Sequence, residues 1–221
     1  MPTKGFNMKN GIRTLAAAGA LLVAGSVAAA GVPGQGTWET TLLARDINGD
    51  SVVDAYYDTV LGISWLADAN LAGVMTWDDS VAWAASLDVH GVSGWRLPST
   101  VDDISLGGVK PAPTSSEMAH MYYVTLGNIG YPDAGYGPSN VGSFRNVELY
   151  QYWSSNLSAN QGWGWYLHWA HGSLDGNNKA FAYFAWPVHD GDVAPPPIPE
   201  PGTYALMLAG IAAIGLSRRF R

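Results

Sequence analysis

Cysteine is missing from this chain. No disulfide can therefore staple it, no thiolate can act as a nucleophile, and no Cys-ligated zinc can form. A domain exported without disulfides must draw its stability from packing. Charge is also scarce, at 13% of residues. Of the 11 lysines and arginines, six sit in the two ends of the chain and five lie between them: Arg45, Arg96, Lys110, Arg145 and Lys179. Residues 31–193 set those five against 17 acidic residues, a net charge of −12 where the whole chain has −7. Such a surface repels nucleic acid and anionic lipid, which excludes nucleic acid as a partner. The acidity suits solubility and cation binding.

The basic residues that are present mark the ends. Lys4, Lys9 and Arg13 precede an apolar stretch from Leu15 to Ala30, and Ala28-Ala29-Ala30 offers small side chains where a signal peptidase reads. Residues 1–30 therefore predict a signal peptide, with Met8 as an alternative start and a membrane helix as the alternative reading. At the other end Pro199-Glu200-Pro201 is followed by an uncharged run from Thr203 to Ser217 and then by Arg218, Arg219 and Arg221. Fifteen residues fall short of the roughly 20 of a comfortable span. The arginines would hold the C-terminus in the cytoplasm. Residues 199–221 thus read as a sorting signal with a short transmembrane helix, an ordinary C-terminal anchor being the alternative. Residues 194–198, rich in proline, form a stiff spacer before it.

Between these ends lies enough chain for one domain with a real core. All ten tryptophans fall there, and buried aromatics supply large apolar area per residue. Thr40 to Ala44 reads as a short strand, Asp46 to Asp50 as a turn, and Ala55 to Trp65 as a hairpin turning near Gly62. Thr76 is an N-cap with Asp79 three residues on. The helix it opens places Trp77, Val81, Ala84 and Ala85 at helical spacing and ends at Gly91 and Gly94. A second helix starts near Ser115 or Ser116, shares Met118, Met121, Tyr122 and Leu126 on one face, and stops at Gly127-Asn128. Residues 128–143, rich in Gly, Pro, Asn and Tyr, form a long loop. Aromatic runs at Tyr150 to Ser154, Trp163 to Trp169 and Ala180 to Trp186 follow as a β-meander, with Asp175-Gly-Asn-Asn178 as a hairpin turn. The fold class is α+β.

Two resemblances follow from these residues. Pro199-Glu200-Pro201, the short span and the arginine cluster together resemble the PEP-CTERM sorting signal of Gram-negative bacteria. The resemblance implies an inner-membrane-anchored intermediate held by the C-terminal helix. It also implies processing by an exosortase, then delivery to the envelope, the cell surface or an extracellular matrix. The physical logic parallels a GPI signal, whose apolar tail holds the substrate at the membrane and is then lost. Trp65-Leu66-Ala67-Asp68-Ala69-Asn70, Trp77 with its helix, Gly94-Trp95-Arg96-Leu97-Pro98, Ser116-Glu117-Met118, Tyr152-Trp153-Ser154-Ser155 and Ala185 to Gly191 fall in the order of an Lcl C-terminal-type domain. Together they resemble that domain across roughly residues 56–192. The resemblance implies a single C-type-lectin-like domain over 31–193 with two helices and a meander. Many relatives carry a cysteine in the first helix and another in the last strand; Ala84 or Ala85 and Val188 stand about there, so that disulfide is absent. His189 stands where relatives often have Arg.

Three candidate sites remain. Asp46, Asn48, Asp50 and Asp54 present hard oxygens at positions 1, 3, 5 and 9 of a calcium loop. Ser51 replaces the glycine at position 6 and Tyr57 the acid at position 12, so an Asx-rich turn is the competing reading. Arg96 offers a guanidinium that either binds a substrate anion or ties its loop to Asp102, Asp103 or a backbone carbonyl. Trp163 and Trp165 are either sugar-stacking platforms or core. His168 and His171, read as lying on a strand, face opposite sides and argue against joint ligation. No Gly-x-Ser-x-Gly elbow and no positioned acid pair is present. The sequence thus points to a non-catalytic binding or adhesion domain associated with polysaccharide. An enzyme acting on envelope glycans and a calcium-stabilised structural domain are the alternatives.

Overall fold

The computed structural model describes residues 35–101, 110–159 and 162–193. The stretches read as signal peptide and spacer, the sorting motif, and Asp102 and Asp103 lie outside them. No helix among the described residues is long and apolar enough to cross a membrane. The fold is mixed α+β, with two five-stranded sheets and few helices among those residues.

One helical turn, α1 (Trp38–Thr41), precedes β1 (Leu42–Arg45). The hydroxyls of Thr40 and Thr41 both donate back to the Thr37 carbonyl, at 2.9 and 3.0 Å, and this local bonding displaces the strand expected from Thr40. β1 pairs with β2 (Ala55–Asp58), which turns at Gly62 into β3 (Ile63–Leu66) as expected. β3 pairs with β10 (Val188–Asp190), and β10 with β5 (Trp95–Arg96), all antiparallel. The last strand of the described residues thus lies inside a sheet otherwise made from residues 42–96.

Two longer helical segments fall between Met75 and Gln151 in sequence. α2 (Trp77–Ser86) starts where the cap chemistry placed it: the Asp79 N–H donates to Thr76 Oγ1 at 3.3 Å, and the Thr76 hydroxyl donates to the Asp79 carboxylate at 2.6 Å. It ends at Ser86, well before Gly91. Trp77, Ser80 and Ala84 are buried, whereas Ala85, about 100° further round the helix, is exposed. α3 (Glu117–His120) is capped by the Ser116 hydroxyl. It widens into a π-turn at Met121–Thr125, where the Leu126 N–H reaches the Met121 carbonyl at 2.9 Å. Met118, Met121, Tyr122 and Leu126 are all fully buried, as their spacing predicts.

The second sheet runs β4 (Val74–Met75), β9 (Tyr183–Phe184), β6 (Gln151–Leu157), β7 (Trp163–His168), β8 (Ser173–Asn178). β6, β7 and β8 form a meander, but its third strand is β8 and not the expected Ala180–Trp186 run, whose β9 pairs with β6 in parallel. The hairpin turn, however, is Trp169–Gly172 and not Asp175–Asn178. Those four residues lie inside β8, where every position from Ser173 to Asn178 pairs with β7. Gly172 has φ +71°, and a Cβ there would press on the Tyr122 ring at 2.6 Å, so the turn requires glycine.

The main core lies between the sheets and α3. Trp186, on the crossover from β9 to β10, is its junction. Its ring meets Trp65, Trp169, Phe144 and Tyr152 at centroid distances of 5.2, 5.2, 4.9 and 5.8 Å. Its Nε1–H donates to the Leu66 carbonyl at 2.8 Å. A smaller cluster of Trp77, Ala84, Leu97, Trp153, Tyr183 and Ala185 packs under α2. Gly164 of β7 lies against the Trp77 indole, which donates to the Ser154 carbonyl at 2.8 Å. Trp186→Phe is expected to lower unfolding free energy by about 2–3 kcal/mol, from lost volume and an orphaned carbonyl. Trp163→Phe, at a position 40% exposed, should stay within about 0.5 kcal/mol. Urea unfolding of the two variants checks both.

Candidate functional site

Arg96 ends β5 and points across the first sheet into two carboxylates. Its Nη1 and Nη2 donate to the two Glu117 oxygens, each at 2.8 Å, a bidentate pair. Nε and Nη2 donate to Asp190 Oδ1 at 3.0 and 2.6 Å, and Nη1 also reaches the Leu97 carbonyl at 3.1 Å. Glu117 additionally accepts from the Ser99 N–H at 2.6 Å. The guanidinium is held above its ordinary pKa, chiefly by Glu117, and it holds the Asp190 carboxyl below its own. Arg96 therefore joins β5, α3 and β10 through these partners and through the Leu97 carbonyl, and all three of its nitrogens are engaged.

The loop Asp46–Asp54 closes on itself. Asp46 accepts from the N–H groups of Gly49, Asp50 and Ser51, Asp50 from Val52, and Asp54 from Ile47, at 2.7–3.1 Å. Asn48 donates to Asp50 Oδ2 at 2.9 Å, and Asp54 Oδ1 lies 3.2 Å from His90 Nε2. The four candidate calcium ligands are thus turned toward the loop's own donors, and no group of three or more His, Asp or Glu among the described residues is gathered to hold a metal. Beside it a pocket of about 330 Å³ is lined by Asp54, Asp68, Asp88, His90 and Arg145. Its carboxylates are also spent locally: Asp68 accepts from Asn70 and Asn146, and Asp88 from Gly91.

The two candidate tryptophans part company. Trp165 is 2% exposed and shares the inner face of β7 with Leu167, so it belongs to the core and not to a ligand surface. Trp163, where β7 begins, keeps an exposed ring. The larger aromatic surface lies elsewhere and was not singled out by sequence reasoning. Because the chain turns after His168, the His168 and His171 rings do not oppose each other across a strand. They stack at 4.2 Å, with an 18° tilt. From this pair a run of ring contacts extends both ways. On one side His171 meets Tyr136 at 5.9 Å, and Tyr136 meets Tyr131 at 5.3 Å. On the other His168 meets Tyr150 at 6.4 Å, Tyr150 meets Tyr183 at 6.0 Å, and Tyr183 stacks on Phe181 at 6.3 Å. Tyr131, Tyr136, Tyr150 and Phe181 are each about half exposed. The one signal for this ridge in the sequence is the tyrosine content of the 128–143 loop.

Three loops build the ridge, and backbone hydrogen bonds fix two of them, the tyrosine-bearing connection and the 169–172 turn, to one another. The Tyr131 N–H donates to the His171 carbonyl at 2.9 Å, and the Trp169 N–H to the Tyr150 carbonyl at 2.8 Å. The Gly137 N–H closes the tyrosine loop on the Ile129 carbonyl at 2.8 Å. Beneath, the Tyr123 hydroxyl donates to the Gly172 carbonyl at 2.6 Å.

Arg96→Met is expected to cost about 2 kcal/mol, because it leaves the largely buried Glu117 charge unpaired. Arg96→Lys should recover only part of that, since a point charge cannot make the bidentate pair. Chemical denaturation measures both. His120 and His168 are pulled below the ordinary histidine pKa, first by burial. The unfolded chain therefore binds more protons near pH 6, and stability must fall as pH drops below about 6.5. The depressed Asp190 acts in the same direction at lower pH. The melting midpoint is expected to decline between about pH 7 and pH 5, and the double substitution of His120 and His168 by Gln to flatten that decline.

Two family models match the chain. The Lcl C-terminal domain family matches residues 54–189, which take in Arg96, its partner Glu117 and all of the second sheet and stop one residue short of Asp190. The PEP-CTERM protein-sorting motif matches residues 197–221. No curated protein and no solved structure matches the chain. With its family match spanning more than half of its length, the chain belongs to the Lcl C-terminal domain family and carries a PEP-CTERM sorting motif at its C-terminal end.

Proposed function

We propose that this protein is a non-catalytic binding or adhesion domain, lectin-like in architecture, displayed at the cell surface or in an exopolysaccharide matrix. The sorting motif supports export, sorting by an exosortase and a membrane-anchored stage before display. The signal peptide would be removed by signal peptidase. The observation that carries the non-catalytic reading is the state of Arg96. The one guanidinium in a motif position where a substrate anion could be seized is consumed by Glu117 and Asp190. The carboxylates around the pocket beside the Asp46–Asp54 loop are likewise already engaged, Asp54 with Ile47 and His90, Asp68 with Asn70 and Asn146, and Asp88 with Gly91, which supports the same reading.

The test is incubation of the purified full-length chain, in detergent, with a panel of envelope and matrix glycans. Retention without release of new reducing ends is the expected result. New reducing ends would replace this reading by that of an enzyme acting on envelope glycans, and retention of no glycan would remove the binding reading. The self-closed Asp46–Asp54 loop leads to a further expectation: the melting midpoint should be the same in millimolar calcium and in chelator. A rise with calcium would restore the calcium-stabilised domain.

A further inference from the structure

We propose that the aromatic ridge is the binding surface and that its ligand is an uncharged polysaccharide chain lying along it. The inference rests on the reading of the protein as a glycan-binding domain and names the ligand class and the place.

Four features carry it. The first is shape. The ridge is a run of ring contacts and not a pocket: Tyr131 and Tyr136 at one end, the stacked His168 and His171 in the middle, and Tyr150 and Phe181 at the other, these last two linked through the buried Tyr183. A line of this kind suits a polymer better than a single sugar. The second is chemistry. The negative face of an aromatic ring attracts positively polarised C–H bonds, which the flat faces of pyranose rings present. Tyrosine hydroxyls and imidazole nitrogens can meanwhile donate to and accept from sugar hydroxyls.

The third is charge. None of the ridge side chains is Lys, Arg, Asp or Glu, and the domain around them is strongly acidic. The cations that might have balanced a uronate or sulfate are already committed. Lys110 pairs with Asp133 at 2.6 Å and lies over the Tyr123 ring, and Lys179 pairs with Asp78 at 2.9 Å and lies over Trp77. An anionic polymer would be repelled and left without counter-charges. The fourth is preorganisation. The cross-loop hydrogen bonds at His171 and Tyr150, with the Gly137–Ile129 bond inside the tyrosine loop, hold the tyrosine and histidine rings in place before any ligand arrives, which lowers the entropy lost on binding.

The test is affinity electrophoresis of the full-length chain through gels containing galactomannan, hydroxyethyl cellulose or dextran, with an alginate gel as the anionic arm. Retardation is expected in a neutral gel and not in alginate. Tyr131→Ala with Tyr136→Ala, and separately Phe181→Ala, should weaken retention, the double variant by about tenfold. Tyr131→Phe with Tyr136→Phe should keep most of it. Near-ultraviolet circular dichroism identifies any variant that has lost its fold, and Phe181→Ala, in a different loop from the tyrosines, gives an independent reading. Undiminished retention of all folded ridge variants would overturn the ridge and leave the glycan-binding reading standing. Retardation in alginate alone would overturn the neutral ligand. A wild-type chain retarded in no gel would overturn both. Sedimentation showing a dimer that dissociates on Tyr131→Ala would assign the ridge to self-association instead.

Discussion

The two sheets of this domain are held as one body by an aromatic junction centred on Trp186. The chain leaves the second sheet at Phe184 and enters the first at Val188, and Trp186 fills the step between them. Its ring touches Trp65 from the first sheet, Tyr152 from the second, Trp169 from the hairpin turn and Phe144 from the long loop. With no disulfide to share the load, the relative placement of everything else follows from this packing. The tyrosine loop and the 169–172 turn meet at the surface because their inner residues are pinned to the same buried cluster.

That dependence separates the protein's two conspicuous groups of residues into different roles. The residues that stand out in the sequence, Trp95-Arg96-Leu97-Pro98 and Tyr152-Trp153-Ser154-Ser155, build the frame. Arg96 ties β5 to α3 and β10, and Tyr152, Trp153 and Ser154 are fully buried. The residues that face solvent with binding chemistry are less conspicuous tyrosines, histidines and a phenylalanine on loops. This division is physically expected. Loops carried on a packed scaffold can vary in composition without cost to the core, and recognition settles there.

The parts of the fold that were legible in the sequence are those fixed by local chemistry. The Thr76 and Ser116 caps place two helix starts because a hydroxyl needs only the next three residues to find its partner. Gly62 marks a hairpin for the same reason. What was not legible depends on distant partners. Asp175-Gly-Asn-Asn178 carries turn residues, yet pairing along all of β8 with β7 overrides that preference. Trp165 shares its strand face with Leu167, and burial of that face in the main core decides its role. The ridge joins Tyr131 to Phe181 through three loops, and no periodicity within any one segment announces it. The π-turn after α3 was equally hidden, since its bonding shift leaves the apolar spacing of Met118, Met121, Tyr122 and Leu126 unchanged.

The central claim is that the exposed rings bind glycan while the Arg96 clamp and the Asp46 loop only support the fold. The most direct measurement is a titration of the isotopically labelled full-length chain in detergent with galactomannan oligosaccharide, followed by NMR chemical shifts residue by residue. The account predicts progressive shifts at Tyr131, Tyr136, Tyr150, His168, His171 and Phe181, with Arg96, Glu117, Asp190 and the Asp46–Asp54 loop unmoved. Shifts that gather at Arg96 or in the Asp46–Asp54 loop, with the ridge silent, would contradict it.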